Sequence, residues 1–371
     1  MSQNIPEIPF TELVERASQL ARERANVEQK VRGIVNDVYV RDIARKEDWN
    51  FFLVNSALTL TENFNLGDIT VTTGNTTAIF SSVVTVDSSF TGKQLKIDGN
   101  DYVYNVTFQS ASSCLINPPL SGNQNVTSAP YNLFKSLYSL APDFDRFPKN
   151  GGLINYRGSA EDIIPEKPYQ EFTRESNSTP TDTPSFCRIY GTDTAGNQLL
   201  EVNPPPKIAK SLRYDYFIRP KIMREITGGT VQIGGGGTTV IGDAASFSYF
   251  ASAVTGDWLR IDAYGVAADS EWYRVIAVNN NSSLTLQTAF NVSGVTSAAY
   301  TLCSAPQMPA KMHPAVLYGT ILQLVVDQDD PMTQAYMIKL AEVLSDGKRL
   351  YKSRVYNQTI HSDAEDWMYR R

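Results

Sequence analysis

Residues 102–120, YVYNVTFQSASSCLINPPL, and residues 272–290, WYRVIAVNNNSSLTLQTAF, follow one plan: a strand, a turn and a second strand. A plan that recurs far along a chain limits its possible folds more than local propensity does, because each copy must bury its own apolar face. The likeness extends outward from these segments. Gly92 precedes Leu95-x-Ile97 in the first copy, and Gly256 precedes Leu259-x-Ile261 in the second. Tyr102 and Trp272 lie 170 positions apart (272 − 102), as do the turn pairs Ser112-Ser113 and Ser282-Ser283. Both copies end alike, as VTSAPYNL (126–133) and VTSAAYTL (295–302), and both open on a glycine-led strand. Alternation and turn spacing predict two all-β modules of roughly 65–80 residues, each a small barrel or sandwich.

The chain ends carry a different period. Thr11 is placed to cap a helix with Leu13, Ala17, Leu20 and Ala21 on one face. Asn26 and Gln29 form a capping signal for a second helix striped by Val27, Val31, Ile34, Val35 and Val38. Trp49 and Phe51 follow, where they are expected to lock that helix to the core. Near the other end, MHPAVLYGTILQLVVD is almost wholly apolar, so it is expected to be buried on most sides or packed on another subunit. The next helix starts at Pro331 and is expected to turn Ala335, Ile338 (or Met337), Ala341 and Leu344 inward. Short alternating segments over 134–222 predict a compact β-subdomain.

The fold class that follows is α+β: a helical bundle from both termini, a central β-subdomain and two inserted, mutually similar β-modules. Its parts are 1–62 (helical pair and first core strand), 63–133 (first module) and 134–225 (core β-subdomain). After them come 226–305 (second module), 306–352 (helical pair) and 353–371 (C-terminal arm).

The chemistry-bearing residues point away from catalysis. The two histidines, His313 and His361, have no companion at metal-ligand spacing, and no nucleophile or nucleotide motif accompanies them. His313, beside Pro314, reads as a structural residue at a helix start. Asp327, Asp329 and Asp330 sit where interhelical turns and caps are usual. The Gly234–Gly237 run leads into a strand rather than a helix, so it reads as a hairpin tip and not a phosphate loop. Cys114, Cys187 and Cys303 are too widely spaced for a zinc site or a disulfide framework and are expected as buried thiols. No enzyme activity, cofactor or metal is expected. A net charge of −6 argues against a general nucleic-acid grip. No run of 18 apolar residues occurs, so no membrane partner is expected, and the N-terminus lacks a signal-peptide pattern, so folding in a cytoplasm is expected.

Taken in order, VNDVYVRDIARKEDWNFF, LAPDFDRF, LLEVNPPPKIAKSLRYDYFIRPKI and MPAKMHPAVLYGTILQLVVDQDD…AYMIKLAEVL resemble the head-to-tail adaptor (connector) proteins of tailed bacteriophages. The chain departs from that pattern in Leu140-Ala141-Pro142, where Leu-Pro is common, and in its two β-modules. The resemblance implies a virion protein of the neck between capsid and tail, made in the bacterial host cytoplasm. It implies a self-assembled ring, of about twelve subunits, that binds the portal protein and a downstream tail or nozzle protein. DNA only passes through its lumen. The C-terminal arm supplies the portal-contact candidates Arg354, Tyr356, Trp367, Met368, Tyr369, Arg370 and Arg371. An alternative is a tail or baseplate-hub protein whose modules bind tail fibres or glycans. The docking candidates are then Tyr102, Trp272 and Tyr273, as exposed aromatic platforms.

Overall fold

The structure is a computed structural model that describes residues 7–20, 28–120, 125–149, 151–157, 160–175, 178–243, 250, 252–262, 271–291, 293–324 and 331–352. The chain forms two compact units, one of Met1–Phe52 with Pro220–Arg371 and one of Leu53–Arg219. Strand outweighs helix, 39% against 25%, which overturns the expected bundle from both termini: the architecture is mostly β, with a closed six-strand barrel and a half-barrel.

The second unit holds β1 (Leu53–Leu60), which pairs with β15 (Lys210–Ile218) along its full length. β11 (Gly152–Arg157) and β12 (Ala160–Pro165) extend that sheet, and β10 (Phe144–Arg146) pairs with the end of β15. A separate sheet runs β13 (Phe186–Thr192), β14 (Gln198–Asn203), β9 (Leu137–Ser139). One cluster, including Leu58, Leu140, Phe144, Cys187, Val202 and Tyr214, joins the two sheets.

The first module of this unit contains β2 (Ile69–Val71), β3 (Thr77–Phe80), β4 (Gln94–Ile97), β5 (Val103–Ser110), β6 (Ser113–Asn117), β7 (Val126–Ala129) and β8 (Tyr131–Phe134). Its strand order is β7-β2-β3-β6-β5-β4-β8. The end strands β7 and β8 are consecutive in the chain, parted by Pro130 alone, so the track closes except at that residue. Proline has no N–H to give to a ladder, which accounts for the break.

In the other unit the same plan closes fully. β16 (Glu225–Thr227), β17 (Val231–Ile233), β18 (Thr239–Gly242), β19 (Trp258–Asp262), β20 (Tyr273–Asn280), β21 (Ser283–Leu286) and β22 (Val295–Cys303) order as β16-β22-β17-β18-β21-β20-β19. An added β22–β19 pairing shuts the ring. β22 has Ala299 where the first module has Pro130, and its ladder to β19 runs unbroken from Cys303 to Ala299. Ser128 and Ser297, at matching places, both adopt left-handed φ, +46° and +54°. That conformation is costly for a side-chain-bearing residue, so its presence in both copies is a specific sign of duplication.

Register also corrects the sequence alignment. Leu95 pairs with Tyr104, and Leu259 pairs with Tyr273. Gly92 N–H reaches the Val106 carbonyl, and Gly256 N–H reaches that of Val275. The partner of Tyr273 is therefore Tyr104, 169 positions away (273 − 104), and Trp272 matches Val103, not Tyr102. A bulge in β20 between Val275 and Ala277, without a counterpart in β5, returns the offset to 170 at the turns: Phe108 pairs with Cys114 as Val278 pairs with Leu284.

The helices of this unit form a layer on the closed barrel. α1 (Phe10–Leu20) and α2 (Glu28–Asp37) pack on each other and on α4 (His313–Leu324), which also packs on α5 (Pro331–Tyr351); the short α3 (Tyr169–Glu175) belongs to the other unit. Residues 38–44 continue α2 as a π-helical segment. Thr11 does not cap α1; it lies buried inside it and donates to Glu225 Oε2 at 2.7 Å. Arg32 Nη2 reaches Glu225 Oε1 at 2.8 Å, and Asn36 and Met223 exchange hydrogen bonds of 2.8 and 3.1 Å. Leu20, expected inside, is exposed. Trp49 is buried and donates to the Ile43 carbonyl at 2.8 Å, locking the end of the π-helical segment. α4 is buried at eight of its twelve positions.

Candidate functional site

α5 shows the largest departure from sequence expectation. Of its 21 residues only Thr333 and Gly347 are buried. Tyr336, Leu340, Val343 and Leu344 are half-buried and continue the inward seam. Ala335, Met337, Ile338 and Ala341, three of which were expected inside, face outward, with Ile338 60% exposed. The helix is apolar on two sides, and Gly347 selects the inner one, since a Cβ there would strike Met312 Sδ. The outer stripe Ile338, Ala341, Glu342, Ser345 and Asp346 follows i, i+3, i+4, i+7, i+8 spacing and lines a shallow groove. Asp346 is paired with Arg349 at 3.2 Å, whereas the exposed Glu342 has no cation beside it among the described residues.

A cleft of about 350 Å³ opens beside the closed barrel, between the β19–β20 end and the segment leading to α4. Its charged lining is Lys221, Arg224 and Arg274 against Glu7 and Asp257. Asp257 is almost wholly buried; its Oδ2 accepts from Val254 N–H at 2.9 Å and from Arg224 Nη2 at 3.0 Å. Burial pushes its carboxyl pKa up, and the Val254 hydrogen bond, Arg224 and the Lys221 charge pull part of the way back. Glu7 takes Trp258 Nε1 at 3.3 Å and Arg274 Nη1 at 3.5 Å. Both acids are thus engaged, and the exposed Lys221, whose charge also acts on Asp257, is a third cation against two carboxylates in the cleft. Ile222, 71% exposed, and Val254, 50% exposed, give the rim an apolar character.

The three aromatic docking candidates do not form a platform. Tyr102 is 56% exposed on the first module. Trp272 is half-buried under the Arg260 guanidinium, 4.8 Å from its ring centre, and Arg260 is held bidentately by Glu15 of α1 at 3.0 and 3.2 Å. Tyr273 is a core residue, packed on Phe290 with its hydroxyl 3.0 Å from Asn291 Oδ1; it cannot serve as an exposed platform. The portal-contact candidates Arg354, Tyr356, Trp367, Met368, Tyr369, Arg370 and Arg371 lie outside the described residues.

Sequence reasoning missed the cleft and the outward stripe. Helical spacing contained the stripe, but nothing local marks Lys221, Val254 and Arg274 as neighbours. It also missed Arg188, whose guanidinium meets the rings of Phe172, Tyr169 and Tyr190 at 4.3, 4.9 and 5.1 Å and pairs with Glu201. Among the described residues no group of three His, Cys, Asp or Glu side chains is placed to hold a metal ion, and no helix is long and apolar enough to cross a membrane.

No protein-family model and no curated protein matches the sequence. Two solved structures of translation elongation factor SelB from Methanococcus maripaludis, the apo form and the complex with the GTP analogue GPPNHP, align at 9% and 11% identity, each with a TM-score of 0.16. Each alignment covers 71% of this chain and 64% of that one. A superposition of that quality assigns neither fold nor function.

Proposed function

We propose that the chain is a structural virion protein: a head-to-tail adaptor whose copies form a ring, join the portal to the tail and extend the DNA channel. The observation that carries the reading is α5, which leaves Met332, Met337, Ile338 and Leu350 exposed along a 21-residue helix. Large apolar side chains left exposed around a helix that packs on its unit along one seam mark a protein–protein contact. The order of the sequence segments resembling the adaptor family supplies the kind of assembly. The net charge of −6 suits a channel wall past which DNA slides. Mass photometry of the purified protein, alone and with portal, tests it. A ring of about twelve subunits that binds portal is expected; a monomer at all concentrations up to the micromolar range, inert toward portal, refutes it.

The exposure of Tyr102 favours one second reading, a hub protein that binds glycans through its first module. Glycan-array binding by the whole protein, lost in Tyr102→Ala, would support the hub over the adaptor.

A further inference from the structure

The Lys221 cleft and the outer stripe of α5 are surfaces of complementary character. The cleft carries three cations, Lys221, Arg224 and Arg274, against two carboxylates, Glu7 and Asp257, beside exposed Ile222 and Val254. The outer stripe of α5 presents Glu342, which has no cation beside it among the described residues, next to exposed Ile338 and Ala341. In each place the other carboxylates are already held: Asp257 by Arg224, Glu7 by Trp258 and Arg274, Asp346 by Arg349. What remains is a cleft with one cation in excess and an apolar rim, and a stripe with one anion and apolar neighbours.

We propose that the α5 stripe of one copy seats in the Lys221 cleft of the next copy, with Glu342 meeting Lys221 and Ile338 meeting Ile222 and Val254. This rests on the ring reading above and names its subunit contact. A second copy is the occupant because one chain carries both halves, so every subunit offers one stripe and one cleft. A contact between two different patches is heterologous, and such contacts close into rings when the rotation permits. A self-paired α5 face would instead set Glu342 near its own copy, which like-charge repulsion disfavours. The opening of about 350 Å³ has room for protruding side chains such as Ile338, with the helix lying across its mouth. Opposite charges flanking an apolar contact also fix its register and suppress wrong pairings.

The test is charge reversal with exchange, read by mass photometry on the full chain. Lys221→Glu and Glu342→Lys are each expected to raise the protein concentration at half assembly by about tenfold or more, and the double variant to recover assembly. Ile338→Asp is expected to break assembly alone and to resist rescue by Lys221→Glu. All three side chains are exposed, so circular dichroism is expected to match wild type. Single variants that assemble like wild type overturn the proposal. So do single variants that fail without recovery in the exchange, which would point to another partner, such as the portal, on α5. In both cases a wild-type ring leaves the adaptor reading standing. A wild-type monomer removes the adaptor reading and the proposal together.

Discussion

Replacing His313 with alanine should destabilise the helical unit, and the cost should depend on pH. The His313 ring is fully buried. Its Nδ1 accepts the Ile8 backbone N–H at 2.8 Å, and Nε2 faces the Met308 carbonyl at 3.0 Å. One nitrogen must accept and the other donate, so the ring is neutral with its proton on Nε2. Alanine leaves a buried N–H and a buried carbonyl without partners. Each such loss costs about 1–3 kcal/mol, so about 2–6 kcal/mol is expected before any cavity cost. That is a large part of a typical stability of about 5–15 kcal/mol. Burial lowers the His313 pKa from its ordinary value, opposed by the carbonyls of Met308 and Pro306 and by the nearby Glu7. A folded pKa below the unfolded one means the unfolded chain binds more protons. The contribution is therefore full above the unfolded value of about 6.5 and declines as pH falls from there towards the folded value. Urea unfolding at pH 7.5 and pH 5.0 measures this. Carboxylates titrate in both proteins, so the gap between wild type and His313→Ala isolates the histidine, and it should narrow at pH 5.0. An alanine variant within about 0.5 kcal/mol of wild type, or a gap that widens in acid, would refute the argument.

Gly319→Ala should lower stability by about 1 kcal/mol, because a Cβ there lies 2.7 Å from Cγ1 of the buried Val38 and the overpacking exceeds the gain in helix propensity. A thermal melt is expected to fall by about 2–4 °C, and a rise would refute the close approach. All three thiols should resist reagents in the native protein. Burial pushes Cys114 and Cys303 up to about 11 and Cys187 up to about 12. At pH 8 about one part in a thousand or less is thiolate, so Ellman's reagent should find no fast thiol until the protein is denatured. A fast stoichiometric reaction would contradict the burial.

The duplication was legible because strand alternation, glycine turns and the VTSAxYxL ending are local properties that survive in the sequence. The pairing of Tyr102 with Trp272 was not reliable, because a bulge at Ile276 in β20, absent from β5, shifts the offset between strand and turn. A single residue of shift exchanges a core side chain for an outward one, which is why Tyr273 proved to be core. The helices were visible in their period, but period does not reveal what a stripe packs against. Glu225 belongs to a strand, yet it takes Thr11 from α1 and Arg32 from α2, tying both helices to the barrel. On α5, two apolar sides compete, and the choice between them rests on Gly347 and Thr333, small residues that an apolar count passes over.

One barrel face serves two different companions, and the substitutions on it account for the difference. In the closed barrel that face carries Trp258, Arg260, Trp272 and Cys303; Trp258 and Arg260 bond Glu7 and Glu15 of the N-terminal segment, and Phe10 N–H bonds the Ser304 carbonyl at 2.9 Å. Strand register makes Gln94, Lys96, Val103 and Phe134 their counterparts in the first module. There Gln94 accepts from Ser136 at 2.6 Å, Ser136 accepts the Val202 N–H at 2.9 Å, and Gln94, Val103 and Phe134 line a cleft with Glu201 and Asn203 of β14. The two indole positions, Trp258 and Trp272, correspond to the amide Gln94 and to Val103, while the cation position is kept, as Arg260 and Lys96. The inward residues stay large and apolar in both copies, as Leu95, Ile97 and Tyr104 in one and Leu259, Ile261 and Tyr273 in the other. Alternation along a strand separates these two demands, since inner side chains hold the barrel and outer ones choose the companion. Duplicating such a barrel therefore gives each unit a rigid platform whose attachment is changed by a few outward side chains, without repacking the core.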